Sequence, residues 1–353
     1  MFDCSNDVLA YHDDEVHLRQ AERTAMRGRR DANRDRLRRG LKDAKKPAPA
    51  EFVSQGSYAM KTMTQDPKRD YDIDDGVYFD KAVLVGERGA EMSALQARTM
   101  VRDAIDDGTF NSAPEVRTNC VRVNYEAGYH VDLPVYRQIT TKDIWGNETY
   151  LCELASSDWK RSDARDVTEW FESKNTALSP DTDNGRQLRR VVRQIKKYAR
   201  SRESWKNQYL SGLGITKLVT ECFRGNVTRE DKSLHETMKA IRDRLNWNLV
   251  VEHPVTPNAT ITSGPDDSRA RFLHSRLTEA IDNLAPLFEA DCTRAKALKC
   301  WDKVFATTYF SDRSQTKALA TSSLLKPASI APPAGLLSFP NVPRVDDKPR
   351  GFG

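Results

Sequence analysis

Residues 71–79, YDIDDGVYF, are the stretch that decides the fold of this 353-residue chain. Its apolar and aromatic residues from Ile73 onward predict a β-strand. Side chains in a strand alternate between two faces, so Asp72 and Asp74 share one face, with their Cα atoms about 6.5–7 Å apart. Carboxylates this close repel each other unless a cation neutralises them, and Mg²⁺ prefers carboxylate and phosphate oxygens. The stretch therefore predicts a strand that holds one or two Mg²⁺ ions.

Residues 55–62, QGSYAMKT, precede that strand and supply the second part of the pattern. A glycine lets the backbone approach a phosphate closely, so the Gly56 N–H and the Ser57 hydroxyl can donate hydrogen bonds to phosphate oxygens ahead of a helix. A Gly-Ser pair is common by itself, but one followed about fifteen residues later by Asp-Ile-Asp in a strand indicates a phosphate site beside a metal site. Tyr58 has two interpretations, stacking on a bound base or packing in the core.

Residues 130–136, HVDLPVY, contain a third carboxylate in an apolar β-run. Asp132 would be costly to bury there without a partner. The runs 121–125 and 129–133 predict a β-hairpin that places Arg122, His130 and Asp132 on one face, away from the valines. A third carboxylate on that face would complete a metal site and accept the proton of an attacking hydroxyl.

A basic helix is predicted over residues 186–202. Its apolar positions follow helical spacing, and the positions between them carry only basic charges: Arg189, Arg190, Arg193, Lys196 and Lys197. A basic face without local counter-charges suits a triphosphate, although a merely solubilising face is an equally simple interpretation.

Together, GSYAMKT, DIDDGVYF and HVDLPVY resemble the cGAS/DncV-like nucleotidyltransferases (CD-NTases) of the polymerase-β-like superfamily, and most closely the DncV-type bacterial cyclic nucleotide synthases. The resemblance extends to about residue 320 and includes residues 159–165. It implies an α+β fold: a nucleotidyltransferase core with a mixed β-sheet and helices, and a mainly helical C-terminal domain, as two lobes with a cleft between them.

The resemblance also implies an activity, the synthesis of a cyclic di- or trinucleotide second messenger, of the cyclic GMP-AMP kind, from ATP and GTP in a bacterial antiphage (CBASS) system. Asp72, Asp74 and Asp132 would be catalytic and would hold two Mg²⁺ ions, with Mn²⁺ as an alternative. A lysine of the basic helix and a hydroxyl residue about twenty positions later would hold the triphosphate; Lys196 and Thr216 match best, with Lys197 and Ser211 as alternatives. The full set of expected nucleotide-binding residues is Gln55, Gly56, Ser57, Tyr58, Arg122, Lys196 and Thr216.

Two other functions remain open at this point. One is a linear oligonucleotide or RNA-tailing nucleotidyltransferase, which would need a nucleic-acid track that the net charge of +5 supports only weakly. The other is a catalytically silent nucleotide-binding scaffold, which the three convergent carboxylates disfavour because they repel without a metal.

Four regions follow from the sequence. Residues 1–50 would form a long N-terminal helix, over about 13–45, that bridges the lobes, with its arginines either on a solvated face or in a nucleic-acid-binding arm. Residues 51–160 would form the catalytic core, 161–320 the helical domain and 321–353 a proline-rich flexible tail. Some members of the resembled family are joined by an E1/E2-like partner through a terminal glycine, here Gly353, and act through a downstream effector.

The composition excludes several classes of protein. No run approaches the roughly 18 apolar residues of a membrane span, and the N-terminus is not a secretory signal. The six cysteines are far apart and form no zinc motif, which predicts reduced thiols in a cytoplasmic protein and argues against a zinc-bearing, DNA-sensing insertion. We therefore expect no membrane contact and no obligatory nucleic acid.

Overall fold

A computed structural model of the chain describes residues 1–313 apart from 69–70, 87–88, 127, 143 and 147. The predicted tail and Gly353 lie outside the described residues. None of the described helices is long and apolar enough to cross a membrane. The six cysteines are all unpaired thiols.

The strands form one mixed sheet, as the sequence predicts. They are β1 (Glu51–Ser54), β2 (Tyr71–Asp80), β3 (Glu115–Val116), β4 (Val121–Asn124), β5 (Tyr129–Leu133), β6 (Val135–Lys142), β7 (Glu148–Ala155) and β8 (Trp159–Arg161). Strand β2 runs parallel to β5 and β6, whereas the other pairs are antiparallel, including the predicted β4–β5 hairpin.

Strands β5 and β6 are nearly one strand beside β2, because both pair with it in the same register. The break falls at Pro134, which has no N–H to donate to a neighbouring strand. Its carbonyl oxygen still accepts a hydrogen bond from Val77 N at 2.8 Å. The register therefore passes through the proline unchanged, and it places β5 beside the aspartate-bearing half of β2.

Four α-helices lie before β3, six strands then follow one another without an α-helix, and α-helices dominate the rest of the chain. This agrees with the prediction of a mainly helical C-terminal region. The α-helices are α1 (Ser5–Tyr11), α2 (Gln20–Asp43), α3 (Gly56–Ala59), α4 (Ala94–Ile105), α5 (Ala164–Leu178), α6 (Gln187–Ala199), α7 (Gly212–Cys222), α8 (Glu230–Trp247), α9 (Ser268–Leu284) and α10 (Arg294–Phe305). Residues 1–312 form one compact unit.

Two hydrophobic cores lie within this unit. The sheet core packs α2 and α4 against one face of the sheet, with Ile73, Val77 and Val131 fully buried. The helical core joins α1 to the helices from α5 to α10 around α6. Helix α6 is buried on most of its circumference because it runs through the middle of this second core.

The prediction of one helix over residues 13–45 is wrong. A π-helical segment, His12–Val16, extends α1, and the chain then runs extended before α2 begins at Gln20. Val16 is buried in the helical core, whereas Leu18 is buried in the sheet core. The chain passes from the helical core to the sheet core between these two residues. One straight helix therefore cannot pack into both cores.

Several arginines of α2 anchor the helix to the sheet, whereas Arg27, Arg38 and Arg39 are exposed. Asp75 is fully buried on the core side of β2, and the Arg34 guanidinium donates to both of its oxygens, at 2.7 and 2.5 Å. Arg29 lies 4.0 Å from the ring centroid of Tyr129. A buried carboxylate needs such a charged fork, so Asp75 and Arg34 fix α2 against the strand of Asp72 and Asp74.

Candidate active site

Three carboxylates converge on the sheet face opposite the sheet core. Asp74 and Asp132 are direct neighbours in the parallel pairing of β2 with β5, and Asp72 lies two residues before Asp74. One carboxylate oxygen from each of the three lies within 4.8 Å of the others. The alternation of side chains along β2 and the register of β5 together produce this acidic cluster.

The charges of the cluster are only partly balanced by protein groups. Burial, and next the charges of Asp72 and Asp132, raise the pKa of Asp74 to about 7. Arg122 donates to both oxygens of Asp132, at 2.7 and 2.6 Å, and its Nη2 lies 3.7 Å from Asp72 Oδ2. One guanidinium facing three carboxylates leaves an excess of negative charge, and all three donors are the hard oxygens that Mg²⁺ prefers. The residues present therefore fit a divalent cation.

This electrostatic arrangement predicts a pH-dependent stability without divalent ions. The folded protein binds a proton at Asp74 up to about pH 7, whereas the unfolded chain releases it near pH 4, so the free energy of unfolding falls as the pH rises through this window. We expect a fall on the order of 1–2 kcal/mol, because Asp74 remains partly solvent-accessible.

Chemical denaturation in EDTA between pH 5 and 8 measures this slope, with Asp74→Asn as the control that removes it. Added Mg²⁺ should abolish the slope in the wild type and leave the variant unchanged. Equal slopes for the two proteins would contradict the assigned repulsion.

Gly56 and Ser57 form a tight corner against the cluster. Gly56 has φ +60°, and a Cβ added to it would lie 2.2 Å from Asp74 Oδ2. The Gln55 N–H donates to the Asp74 carbonyl oxygen at 2.8 Å, which ties the corner to β2. Ser57 lines a cavity of about 90 Å³ that Asp72 and Lys196 also border. The corner therefore stands beside the aspartates, as the sequence predicts.

Gln55 does not face this cavity, although the sequence places it among the nucleotide-binding residues. Its side chain is 3% exposed; Nε2 donates to the Tyr78 hydroxyl at 3.0 Å, and Oε1 accepts from the Tyr136 hydroxyl at 3.2 Å. Gln55 thus fixes the start of the Gly56–Ser57 corner to β2 and β6 through hydrogen bonds to their tyrosines. Local sequence carries no signal for this role, because Tyr136 is far along the chain.

Tyr58 is also directed away from the acidic cluster. Its half-buried ring packs against the sheet core, and the Arg30 guanidinium lies 5.8 Å from its centroid. The cavity that it lines, about 580 Å³ in volume, is bordered by Arg23 and Arg27 of α2 and not by the three aspartates. The geometry favours packing over the interpretation that Tyr58 stacks on a base in the cleft.

Lys196 reaches the cleft from α6. Its ammonium donates to Thr62 Oγ1 at 2.9 Å, and the side chain borders the cavity of Ser57 and Asp72. Burial, and next the charges of Arg200 and Arg193, lower the pKa of Lys196 to about 7. The alternative, Lys197, instead donates to the Gln65 carbonyl oxygen at 3.2 Å.

The prediction that the basic face of α6 has no counter-charges nearby is wrong for its first turn. Acids from other elements supply them: Arg189 pairs with Glu172 of α5, and Arg190 pairs with Glu230 of α8 at 2.9 Å. The face is in addition bound to a backbone segment that follows α3. Arg189 donates to the Met60 carbonyl oxygen at 3.0 Å and Arg193 to the Lys61 carbonyl oxygen at 2.8 Å. Lys196 donates to the Thr62 carbonyl oxygen at 3.4 Å.

Thr216 is not brought to the cleft. It lies one turn inside α7, fully buried, and its hydroxyl donates to the Gly212 carbonyl oxygen at 2.7 Å. The alternative, Ser211, is exposed at the start of α7, where its Oγ accepts from Gly214 N at 3.1 Å. Gly212, the next residue, borders the cavity of Lys196. The geometry therefore favours Ser211 as the hydroxyl residue beside Lys196.

A mixed sheet presents three converging carboxylates beside a Gly-Ser corner, and a lysine reaches in from the helical part. This is the arrangement that the sequence resemblance leads us to expect of a nucleotidyltransferase. Residues 50–136, which contain all three aspartates, match the family model described as "Cyclic GMP-AMP synthase DncV-like, nucleotidyltransferase domain". Residues 50–136 therefore form a DncV-like nucleotidyltransferase domain.

Solved structures share the fold over most of their length. Escherichia coli DncV, bound to 3′-deoxy GTP, is 16% identical with a TM-score of 0.64, over 86% of this chain and 96% of that chain. Vibrio cholerae DncV, bound to the linear intermediate 5′ pppA(3′,5′)pG, is 16% identical with a TM-score of 0.63, over 82% and 91%. Escherichia coli MS115-1 CdnC with ATP is 16% identical with a TM-score of 0.63, over 86% and 98%.

Proposed function

We propose that this nucleotidyltransferase joins ATP and GTP into a cyclic di- or trinucleotide, with two Mg²⁺ or Mn²⁺ ions. The observation that carries the proposal is the convergence of Asp72, Asp74 and Asp132 within 4.8 Å, beside the Gly56–Ser57 corner. The ligands of the similar structures, a linear pppA-pG intermediate, 3′-deoxy GTP and ATP, support the choice of substrates.

The chain's own residues would bind and orient the reacting groups. Asp72, Asp74 and Asp132 would hold the ions, which supply charge neutralisation of the phosphates and a lower pKa for a ribose hydroxyl. Asp132, buried and held by the Arg122 fork, would accept the proton of that hydroxyl as it attacks the α-phosphorus. Pyrophosphate leaves from the donor nucleotide. Arg122 would orient Asp132 and balance its charge. It would also bind nucleotide phosphates.

Positioning of the donor phosphates would come from both lobes. Ser57 borders the cavity from the sheet side, and Lys196 and the start of α7 border it from the helical side. Because the pKa of Lys196 is held near 7 by burial and by two arginines, a bound triphosphate would favour its charged form. Such positioning contributes much of the barrier reduction in phosphoryl chemistry.

The test is product formation by the purified chain. Labelled ATP and GTP, alone and paired, are incubated with Mg²⁺ or Mn²⁺ and no nucleic acid, and the product is mapped with linkage-specific nucleases and mass spectrometry. A nuclease-resistant ring supports the proposal. A linear product, a requirement for added RNA, or NTP binding without turnover would each replace it with one of the two other functions.

Ser211→Ala and Thr216→Val form a matched pair of variants that tests the α7 contact. We expect the KM for nucleotide to rise about 5- to 20-fold in Ser211→Ala, which loses a hydroxyl beside the phosphates, and to change less than twofold in Thr216→Val. Steady-state kinetics measures both values, and melting temperatures account for the lost helix cap. The reverse ranking would restore Thr216 as the phosphate ligand.

The antiphage signalling role, the downstream effector and the conjugation at Gly353 stay predictions from the sequence resemblance. Gly353 lies outside the described residues. A mass measurement of the full chain incubated with a candidate E1/E2-like partner would test the conjugation, and a chain lacking Gly353 that is still conjugated would dismiss it.

A further inference from the structure

Arg200 lies at a position that the proposed phosphate ligands leave unassigned. It is the first residue after α6 and is exposed. Two neighbouring cavities adjoin it: the cavity of about 90 Å³ bordered by Ser57 and Lys196, and a second of about 270 Å³ bordered by His130 and Tyr209. Asp72 and Arg200 are the residues that border both. Arg200 therefore borders the junction of the two cavities together with Asp72, one of the three aspartates.

The charge of Arg200 is available to bind a ligand, in contrast to the charges of the arginines within α6. Arg189, Arg190 and Arg193 are buried and hydrogen-bonded within the protein. Within the part of the chain that the structure describes, the Arg200 guanidinium has no carboxylate partner and no hydrogen bond. The Arg200 guanidinium lies 5.9 Å from the ring centroid of Tyr209. An arginine is always charged and offers five N–H donors in a planar fork, which suits a phosphate group.

We propose that Arg200 binds the phosphate chain of the nucleoside triphosphate, as a third cleft residue of the helical lobe beside Lys196 and Ser211. This assignment rests on the proposed function, because it needs a triphosphate at the aspartates. A phosphate there would neutralise Arg200 and also remove the repulsion between Arg200 and the buried ammonium of Lys196, one helical turn away. Arg200 thus acts as a phosphate ligand and adds a positive charge beside Lys196 on the helical side of the cleft.

The experiment measures binding to the full chain in Mg²⁺ by titration calorimetry. Two probes are used, α,β-methylene-ATP and inorganic tripolyphosphate, of which the second has no base or sugar. We expect Arg200→Ala to weaken both probes by the same factor, about 10- to 100-fold, because a charge-assisted bidentate contact is lost. Arg200→Lys should lie between the wild type and Arg200→Ala. Lys239→Ala, which removes one exposed positive charge of α8 outside both cavities, should change either affinity less than twofold.

Three outcomes would overturn the assignment. Unchanged affinities in Arg200→Ala, with a wild type that binds both probes, would refute the role of Arg200 and leave the proposed function standing. A loss confined to α,β-methylene-ATP would mean that Arg200 and Tyr209 contact the base instead of the phosphates. A wild type that binds neither probe would refute the proposed function and this assignment together. An unchanged melting temperature in Arg200→Ala separates each result from a folding defect.

Discussion

We expect Asp74→Asn to lower nucleotide turnover by at least about 10³-fold while the protein stays folded. The amide has nearly the shape of the carboxylate but carries no charge, so the cluster loses one of its three anionic oxygen ligands. The free energy of unfolding in EDTA at pH 8 should rise, because burial and the charges of Asp72 and Asp132 disfavour the ionised form of Asp74. Turnover assays with Mg²⁺ and with Mn²⁺, together with denaturation curves, measure both effects.

Asp80→Asn is the matched control. Asp80 is exposed at the far end of the same strand, where its carboxylate accepts from Gln138 Nε2 at 2.9 Å, a contact that asparagine can keep. We expect turnover within twofold of the wild type. If Asp74→Asn retains a tenth or more of wild-type turnover, the acidic cluster is not the catalytic centre.

We expect Gly56→Ala to lower turnover by about 100-fold or more and to destabilise the fold by about 1–2 kcal/mol. Two physical causes act together: a φ of +60° that L side chains rarely adopt, and a Cβ that would lie 2.2 Å from Asp74 Oδ2. The corner or the carboxylate must move, and either shift separates Ser57 from the aspartates. Turnover at saturating Mg²⁺ and the melting temperature report the two effects separately.

Gly28→Ala gives the contrasting result. Gly28 lies within α2, and a Cβ added there meets nothing within 4 Å. Alanine at this position should stabilise the protein by about 0.5–1 kcal/mol and leave turnover unchanged. A Gly56→Ala protein with wild-type turnover would show that the corner tolerates displacement and does not position the phosphates.

Two parts of the acidic cluster followed from the sequence because they depend on short-range rules. Strand alternation puts Asp72 and Asp74 on one face, and the 121–133 hairpin puts Asp132 and Arg122 on one face. Only the parallel register of β2 with β5 was missing from this inference. That register, a contact between distant parts of the chain, places Asp132 directly beside Asp74.

The assignments that failed depend on contacts between distant parts of the chain. Gln55 was expected at the nucleotide, but two tyrosines from β2 and β6 satisfy its amide away from the cleft. Thr216 has the expected spacing from Lys196, but helical geometry turns its hydroxyl back to Gly212. In each case a polar side chain found a partner inside the protein, and spacing along the sequence does not report such partners.

By itself, the sequence determined the strands, the helical second half and the shared face of Asp72 and Asp74, because periodicity and alternation act within a few residues. The tertiary structure alone decided which charges remain available for a ligand. Buried arginines of α6 are paired with acids of α5 and α8 or hydrogen-bonded to backbone carbonyl oxygens, whereas Lys196 and Arg200 border the cleft. Desolvation and pairing of charges depend on which surfaces meet in the folded chain, and that is a property of the packing of the two cores.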